Sequence, residues 1–280
     1  MSNNAIGRED YEEPLCLLNM DGNIPEEERV LSTVPIERVI EKLDSYFFSK
    51  DFDGAERHLL YWLAEAKAGR DRRGELSILN ELMGFYRQTG KKDEAYESAS
   101  KGLALVEKMG MEGTLSAATT YLNAATVHKT FDKSEKAVPL YEKAKELYEK
   151  YLPEGDEKLG GLYNNMGLAL TDVGRYEEAE ECYKKAIEIM ENTDGGELEA
   201  AISYLNLADE VTLRLGALEA ETLVSGYLDL AAELLDKKKD LKSGYYAYVC
   251  EKCATVYGYY GYFMYENELK ARAESIYEGA

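Results

Sequence analysis

Asn123, Asn165 and Asn206 are the side chains in this sequence with the most to offer chemically. They return at intervals of 42 and 41 residues, each inside a stretch rich in helix-forming residues. Asparagine is a mediocre helix former, so its return at one place asks for a reason. A carboxamide offers two N–H donors and a carbonyl acceptor, which match the C=O and N–H of any peptide backbone whatever its side chains. A ladder of them could hold an extended segment of a partner. The alternative is that they hydrogen-bond between neighbouring units, and both readings can hold together.

Other candidate chemistry is thin. Cys250-Glu-Lys-Cys253 has CxxC spacing, but no second pair follows to complete a zinc site and no βαβ context supports a redox motif. The pair reads as two small residues on one helix. The two histidines are His58 and His128, and His128 is expected to be a satisfied core histidine. Phosphate-binding loops and serine-nucleophile elbows are absent. Acidic pairs such as Glu177-Glu178 fall at helix starts, where they complement the helix dipole. The expectation is a chain that is not an enzyme and uses no cofactor or metal.

The elements that would position the asparagines are set by a second periodicity. Ala95, Ala137 and Ala179 are 42 residues apart, each followed seven residues later by Gly102, Ala144 and Ala186 and preceded by Met83, Ala125 and Gly167. A fixed period of this size signifies stacked helical hairpins, which commonly bind other proteins. The clearest unit runs from Gly160 to Ile189. With Gly160 as position 1, Tyr163, Met166, Gly167 and Leu170 form one stripe of a helix at positions 4, 7, 8 and 11. Gly174 ends that helix, and a second from Glu177 carries Ala179, Tyr183 and Ala186 inward. Gly167 and Ala179 are small enough for close approach, with Tyr183 filling the space beside them. Two antiparallel helices joined by so short a turn form an αα-hairpin.

This pattern resembles the tetratricopeptide repeat, with its series of an aromatic, Leu-Gly, Tyr, Ala, aromatic and Ala. The usual unit has about 34 residues, so the period here adds about two helical turns, roughly 12 Å of helix per hairpin. The longer unit, with Tyr163-Asn164-Asn165 near its start, is similar to the repeats of kinesin light chain and its bacterial relatives. The resemblance implies an all-α, right-handed superhelical solenoid of about five to six antiparallel hairpins over residues 36–280. The units fall near 36–67, 76–109, 118–151, 160–193, 201–235 and 254–280. The first is a poor match, spoiled by Lys42 and Trp62, and Pro139 should place a mild kink in the second helix of the third. Residues 1–35, with Pro14, Pro25 and Pro35, read as an extended arm. The polar run Asp236–Asp240 reads as a hinge.

Tetratricopeptide grooves bind extended or helical peptides on the concave surface lined by the first helices, opposite the packed stripe. The resemblance therefore implies a groove holding Asn80, Arg87, Asn123, Lys129, Asn164, Asn165, Asp172, Asn206 and Asp209. The family's clamp for a C-terminal carboxylate needs more lysine and arginine than Arg87 and Lys129 supply. A second surface is suggested by the tyrosines between 245 and 265, which surround a helix on all sides. Tyr259, Tyr262 and Tyr265 are candidates for self-association into a homodimer, since tyrosine is enriched at interfaces; the alternative is internal packing.

The 280 residues carry a formal net charge of −21. A field of that sign repels nucleic acid and anionic lipid and attracts basic partners, or serves simply to solvate outer helix faces. The first 28 residues hold one basic residue, Arg8, and the short apolar run Leu15–Leu18, so neither a secretory leader nor a membrane span is expected. The expected location is the cytoplasm. The function implied is a non-catalytic scaffold that binds a protein or peptide segment in its groove. The alternatives are a self-assembling structural protein, or a peptide-sensing regulatory effector without a DNA-binding domain.

Overall fold

A computed structural model of the protein describes residues 29–278. Among these there are twelve helices and no strand. The chain divides into two compact units, residues 1–78 and 79–280. Most of the N-terminal arm, residues 1–28, and the final two residues lie outside the described part.

The first unit contains α1 (Ile36–Phe48), α2 (Phe52–Ala68) and the start of α3 (Arg72–Gln88). Val39 and Leu43 on α1 meet Ala55, Leu59 and Leu63 on α2 in a small buried layer. Neither suspect residue breaks the hairpin. Lys42 lies over the Tyr46 ring at 4.7 Å, and Trp62 packs edge-on against His58. The segment before α1 is tied down by its backbone. Leu31 and Ser32 N–H donate to the Gly69 carbonyl at 2.8 and 3.3 Å. Val34 N–H donates to the Asp71 carboxylate at 2.8 Å, whose other oxygen caps α3 through Gly74 N–H at 2.9 Å.

The second unit continues α3 with α4 (Lys92–Lys108), α5 (Leu115–Thr130), α6 (Ser134–Tyr151), α7 (Glu157–Asp172) and α8 (Tyr176–Glu191). It ends with α9 (Glu197–Leu215), α10 (Ala217–Lys237), α11 (Gly244–Tyr259) and α12 (Phe263–Glu278). Odd-numbered helices are the first of each hairpin, and α5, α7, α9 and α11 each pack on the hairpin before, so the unit is an all-α solenoid stacked in chain order. Ala95, Ala137 and Ala179, joined by Ala220 and Ala273, are all fully buried where paired helices approach. Most hairpins turn the same way. Gly90, Asp132, Gly174 and Gly261 take positive φ, and the next N–H reaches back to the carbonyls of Tyr86, His128, Leu170 and Tyr257, each at 2.9 Å. The α9–α10 turn differs, with Gly216 alone (φ 85°) separating two helices.

Two expectations need correction. The last hairpin begins at Gly244 and not near 254, with the Ser243 hydroxyl accepting from Tyr246 N–H at 3.1 Å to start α11. The run expected to be a hinge is tied at its start and its middle. Lys238 pairs with Glu197 at 2.8 Å, and Asp236 accepts from Tyr265 and from Arg272. Helix α6 continues through Pro139, which sits on its exposed side and leaves the Glu135 carbonyl without its usual donor.

Candidate functional site

The asparagines pair from one hairpin to the next. Asn123 Nδ2 on α5 donates to Asn80 Oδ1 on α3 at 3.2 Å, and Asn80 Nδ2 donates to the buried Thr120 hydroxyl at 3.1 Å. Two hairpins further on the bracket is repeated. Asn164 Oδ1 on α7 accepts from Asn206 Nδ2 at 2.8 Å and from the buried Ser203 hydroxyl at 3.0 Å, both on α9. In the 42-residue register, a position-5 asparagine is thus gripped by positions 3 and 6 of the next unit. The inter-repeat reading of the ladder accounts for these two junctions.

The α5–α7 junction lacks that bracket because position 5 is Leu122. Asn165, at position 6 of α7, consequently has no hydrogen-bond partner for its half-buried carboxamide among the described residues. This junction is joined instead by Lys129 and Asp172, 3.9 Å apart, with the Ser134 hydroxyl donating to Asp172 at 2.6 Å. Beyond α9 the row continues to the C-terminal end of α11, where its capping residue Tyr260 donates to Asp209 at 2.8 Å. Burial raises the Asp209 carboxyl pKa, and the Tyr260 bond opposes that. Arg87 on α3 is half-buried and has no ion-pair partner among the described residues.

One continuous row of polar side chains therefore crosses α3, α5, α7, α9 and α11. The nine expected residues all lie on these first helices, and most of their capacity is spent on each other. Asn165 and Arg87 keep theirs free, as do the carbonyls of Asn123 and Asn206.

Other candidates resolve differently. His128 is not satisfied. Its Nδ1 is buried without a partner, its ring lies 5.2 Å from that of Tyr96, and burial, Lys136 and Lys133 hold its pKa below the ordinary imidazole value. Cys250 and Cys253 are buried in α11, where burial pushes the Cys253 thiol up to about 12, far from a reactive thiolate. Of the tyrosines considered for self-association, Tyr265 is half-buried and donates to Asp236 at 2.9 Å, and Tyr262 donates to Ser225 at 3.3 Å. Tyr259 is 75% exposed. Tyr246 and Tyr257 are fully buried and donate to the backbone carbonyls of Leu235 and Leu228 on α10.

An ionic cluster anchored on one buried carboxylate escaped sequence reasoning. The fully buried Glu210 accepts from Arg214 Nε at 2.8 Å, while its other oxygen has no partner. Arg214 continues to Glu180 at 2.8 Å, which also holds Lys184 at 2.6 Å. Its signal was the Glu210–Arg214 spacing of one helical turn.

This fold and its row define an α-solenoid that offers an interaction surface. Residues 118–151 and 159–238 match two models of the tetratricopeptide repeat. These residues form tetratricopeptide repeats, and the fold is similar to that of kinesin light chain repeats. Such repeats build protein–protein interaction surfaces. BtubC (BKLC) from P. vanneervenii is similar in structure with a TM-score of 0.62 and 23% identity, over 71% of this chain and 80% of that one. A putative kinesin light chain repeat protein from Podosopora anserina has a TM-score of 0.51 and 18% identity, over 71% and 92%. A Rap protein solved in complex with Competence and Sporulation Factor has a TM-score of 0.53 and 16% identity, over 87% and 78%. No curated protein matches the sequence. Among the described residues, no helix is long and apolar enough to cross a membrane, and no group of His, Cys, Asp or Glu could hold a metal ion.

Proposed function

We propose that the protein is a non-catalytic scaffold of the cytoplasm that receives an extended peptide or protein segment along the polar row of α3, α5, α7 and α9. The observation that carries this reading is the interruption of the ladder at Leu122, which leaves Asn165 unsatisfied at the centre of the row. An asparagine held there only for packing would be expected to share the bracket of its neighbours. Its N–H and C=O groups would instead engage one residue of the incoming backbone. Arg87, two hairpins away, would add a charge-assisted bond to a carboxylate or carbonyl of the same segment. Asn123 and Asn206 would contribute their carbonyls while remaining bonded to their neighbours. The strongly acidic chain favours partners that are basic outside this contact.

Binding to an array of extended peptides, with wild type against Asn165→Ala and Arg87→Ala, tests the reading. Peptides that bind should lose about tenfold in affinity with Asn165→Ala, the equivalent of ~1.4 kcal/mol. Folding stability should change by less than about 0.5 kcal/mol, because the carboxamide supports nothing else. Peptide binding indifferent to both substitutions would sink the assignment of this row.

A further inference from the structure

The turns of the last two hairpins differ from the three immediately before them. The α3–α4, α5–α6 and α7–α8 turns present Lys91, Lys133 and Arg175 and expose no large apolar side chain. At the α9–α10 turn, Leu213 and Leu218 are 61% and 80% exposed; around the α11–α12 turn, Tyr259, Phe263 and Met264 are 75%, 62% and 87% exposed. These two turns adjoin. Tyr260 bonds to Thr212 at 2.9 Å and to Asp209 at 2.8 Å, and Tyr262 reaches Ser225 on α10 at 3.3 Å. Five exposed apolar side chains thus gather on one edge, and apolar surface concentrated in this way marks an interaction site.

The charge around the edge selects what can cover it. Residues 205–230 and 255–272 contain the carboxylates of Asp209, Glu210, Glu219, Glu221, Asp229, Glu266 and Glu268. Against them stand three cations: Arg214, held by Glu210 and Glu180, Lys270, held by Glu266, and Arg272, which pairs with Glu268. A second copy of this chain would bring the same excess of negative charge, and anionic lipid would be repelled likewise. A protein helix with an apolar stripe flanked by lysine or arginine satisfies both features, and its own charge meets carboxylates that have no internal cation.

We propose that the edge formed by the α9–α10 and α11–α12 turns docks a basic amphipathic helix of a partner protein. This contact lies at helix ends and meets the polar row only at the Tyr260–Asp209 bond, beyond Asn165 and Arg87, so it stands or falls independently of peptide binding there. The probe is a labelled helical peptide with leucines along one face and lysines on the other, titrated with the full chain by fluorescence anisotropy. A peptide of the same apolar face with glutamate for lysine is the control. The wild type should bind the lysine peptide, and the Phe263→Ser/Met264→Ser double variant should bind it at least tenfold more weakly. Leu218→Ser, on the other hairpin, should also weaken it. Asn165→Ala should leave it unchanged. All three substituted side chains face solvent, so the circular dichroism spectrum should match that of wild type. No binding by the wild type, equal binding of the glutamate peptide, or binding unaffected by both edge variants would overturn the proposal. So would sedimentation showing a dimer that the double variant abolishes, since the edge would then be filled by a second copy.

Discussion

Ala125 and Gly167 occupy the same place in successive repeats, and one methyl group between them redirects a buried tyrosine. A Cβ on Gly167 would fall 2.6 Å from the Tyr183 ring, so that ring fills the space the glycine leaves, and its hydroxyl lies 3.2 Å from Thr171. Beside Ala125, the equivalent Tyr141 sits 3.1 Å from Thr126, three residues earlier in the register. Both rings are fully buried. Gly167→Ala should therefore destabilise the protein by about 1–3 kcal/mol, as overpacking does, seen as a lower urea midpoint. The sequence stripe already paired Gly167 with Tyr183; the choice of hydroxyl partner was hidden, because it depends on three side chains at once. Glu210 supports a second prediction. Burial raises its carboxyl pKa, and Arg214 opposes that shift. A carboxyl raised on folding costs stability where it is ionised and returns that cost as the pH falls through its folded value. Arg214→Met should thus cost about 3–5 kcal/mol near neutral pH, the range for breaking a buried pair. The penalty should shrink as Glu210 takes up a proton in more acidic buffer, which urea titrations at several pH values would show.

Elements were legible wherever small residues mark close approach or glycine marks a turn. Ala95, Ala137 and Ala179 located three second helices, and Gly90, Gly174 and Gly261 stand at hairpin turns with positive φ. The same conformation at Lys50 and Asp132 had no such marker. Lysine gains nothing from a left-handed backbone, so Lys50→Gly should raise stability by about 0.5–1 kcal/mol, read from the thermal midpoint. The start of α11 was misplaced by ten residues for a different reason. Tyr245, Tyr246 and Tyr248 blur the period, since aromatic residues occupy both the buried and exposed sides of this helix. The usable signal was Ser243, a good capping residue immediately before the run. Ser243→Ala should lower stability by about 1 kcal/mol through loss of that cap, and hydrogen exchange should locate the loosening in α11. The asparagine brackets were also within reach of the sequence. Asn80 and Asn164 precede Asn123 and Asn206 by 43 and 42 residues, a regularity visible only when adjacent units are compared at different positions.

At the scale of the whole molecule, a net charge of −21 sets a background of self-repulsion. Raising the ionic strength from about 0.01 to about 0.1 M shortens the Debye length from roughly 30 to roughly 10 Å and should raise the thermal midpoint. Exposed pairs such as Arg175–Glu142 and Lys184–Glu180 lose a little under the same change. A midpoint that falls with salt would show that these pairs outweigh the repulsion. Composition revealed this charge but not its distribution: the first three turns of the second unit carry cations, and the last two carry none that is unpaired. The break in the asparagine ladder at Leu122 has a consequence for selectivity. A groove with every carboxamide free could grip any backbone along its length and would discriminate poorly. Here the repeats consume most of that capacity to hold themselves together, and only Asn165 keeps a whole carboxamide for the proposed contact. On the proposed reading, most of the discrimination must then come from the partner's own side chains, so the protein is expected to be choosy and its ligands to share a motif.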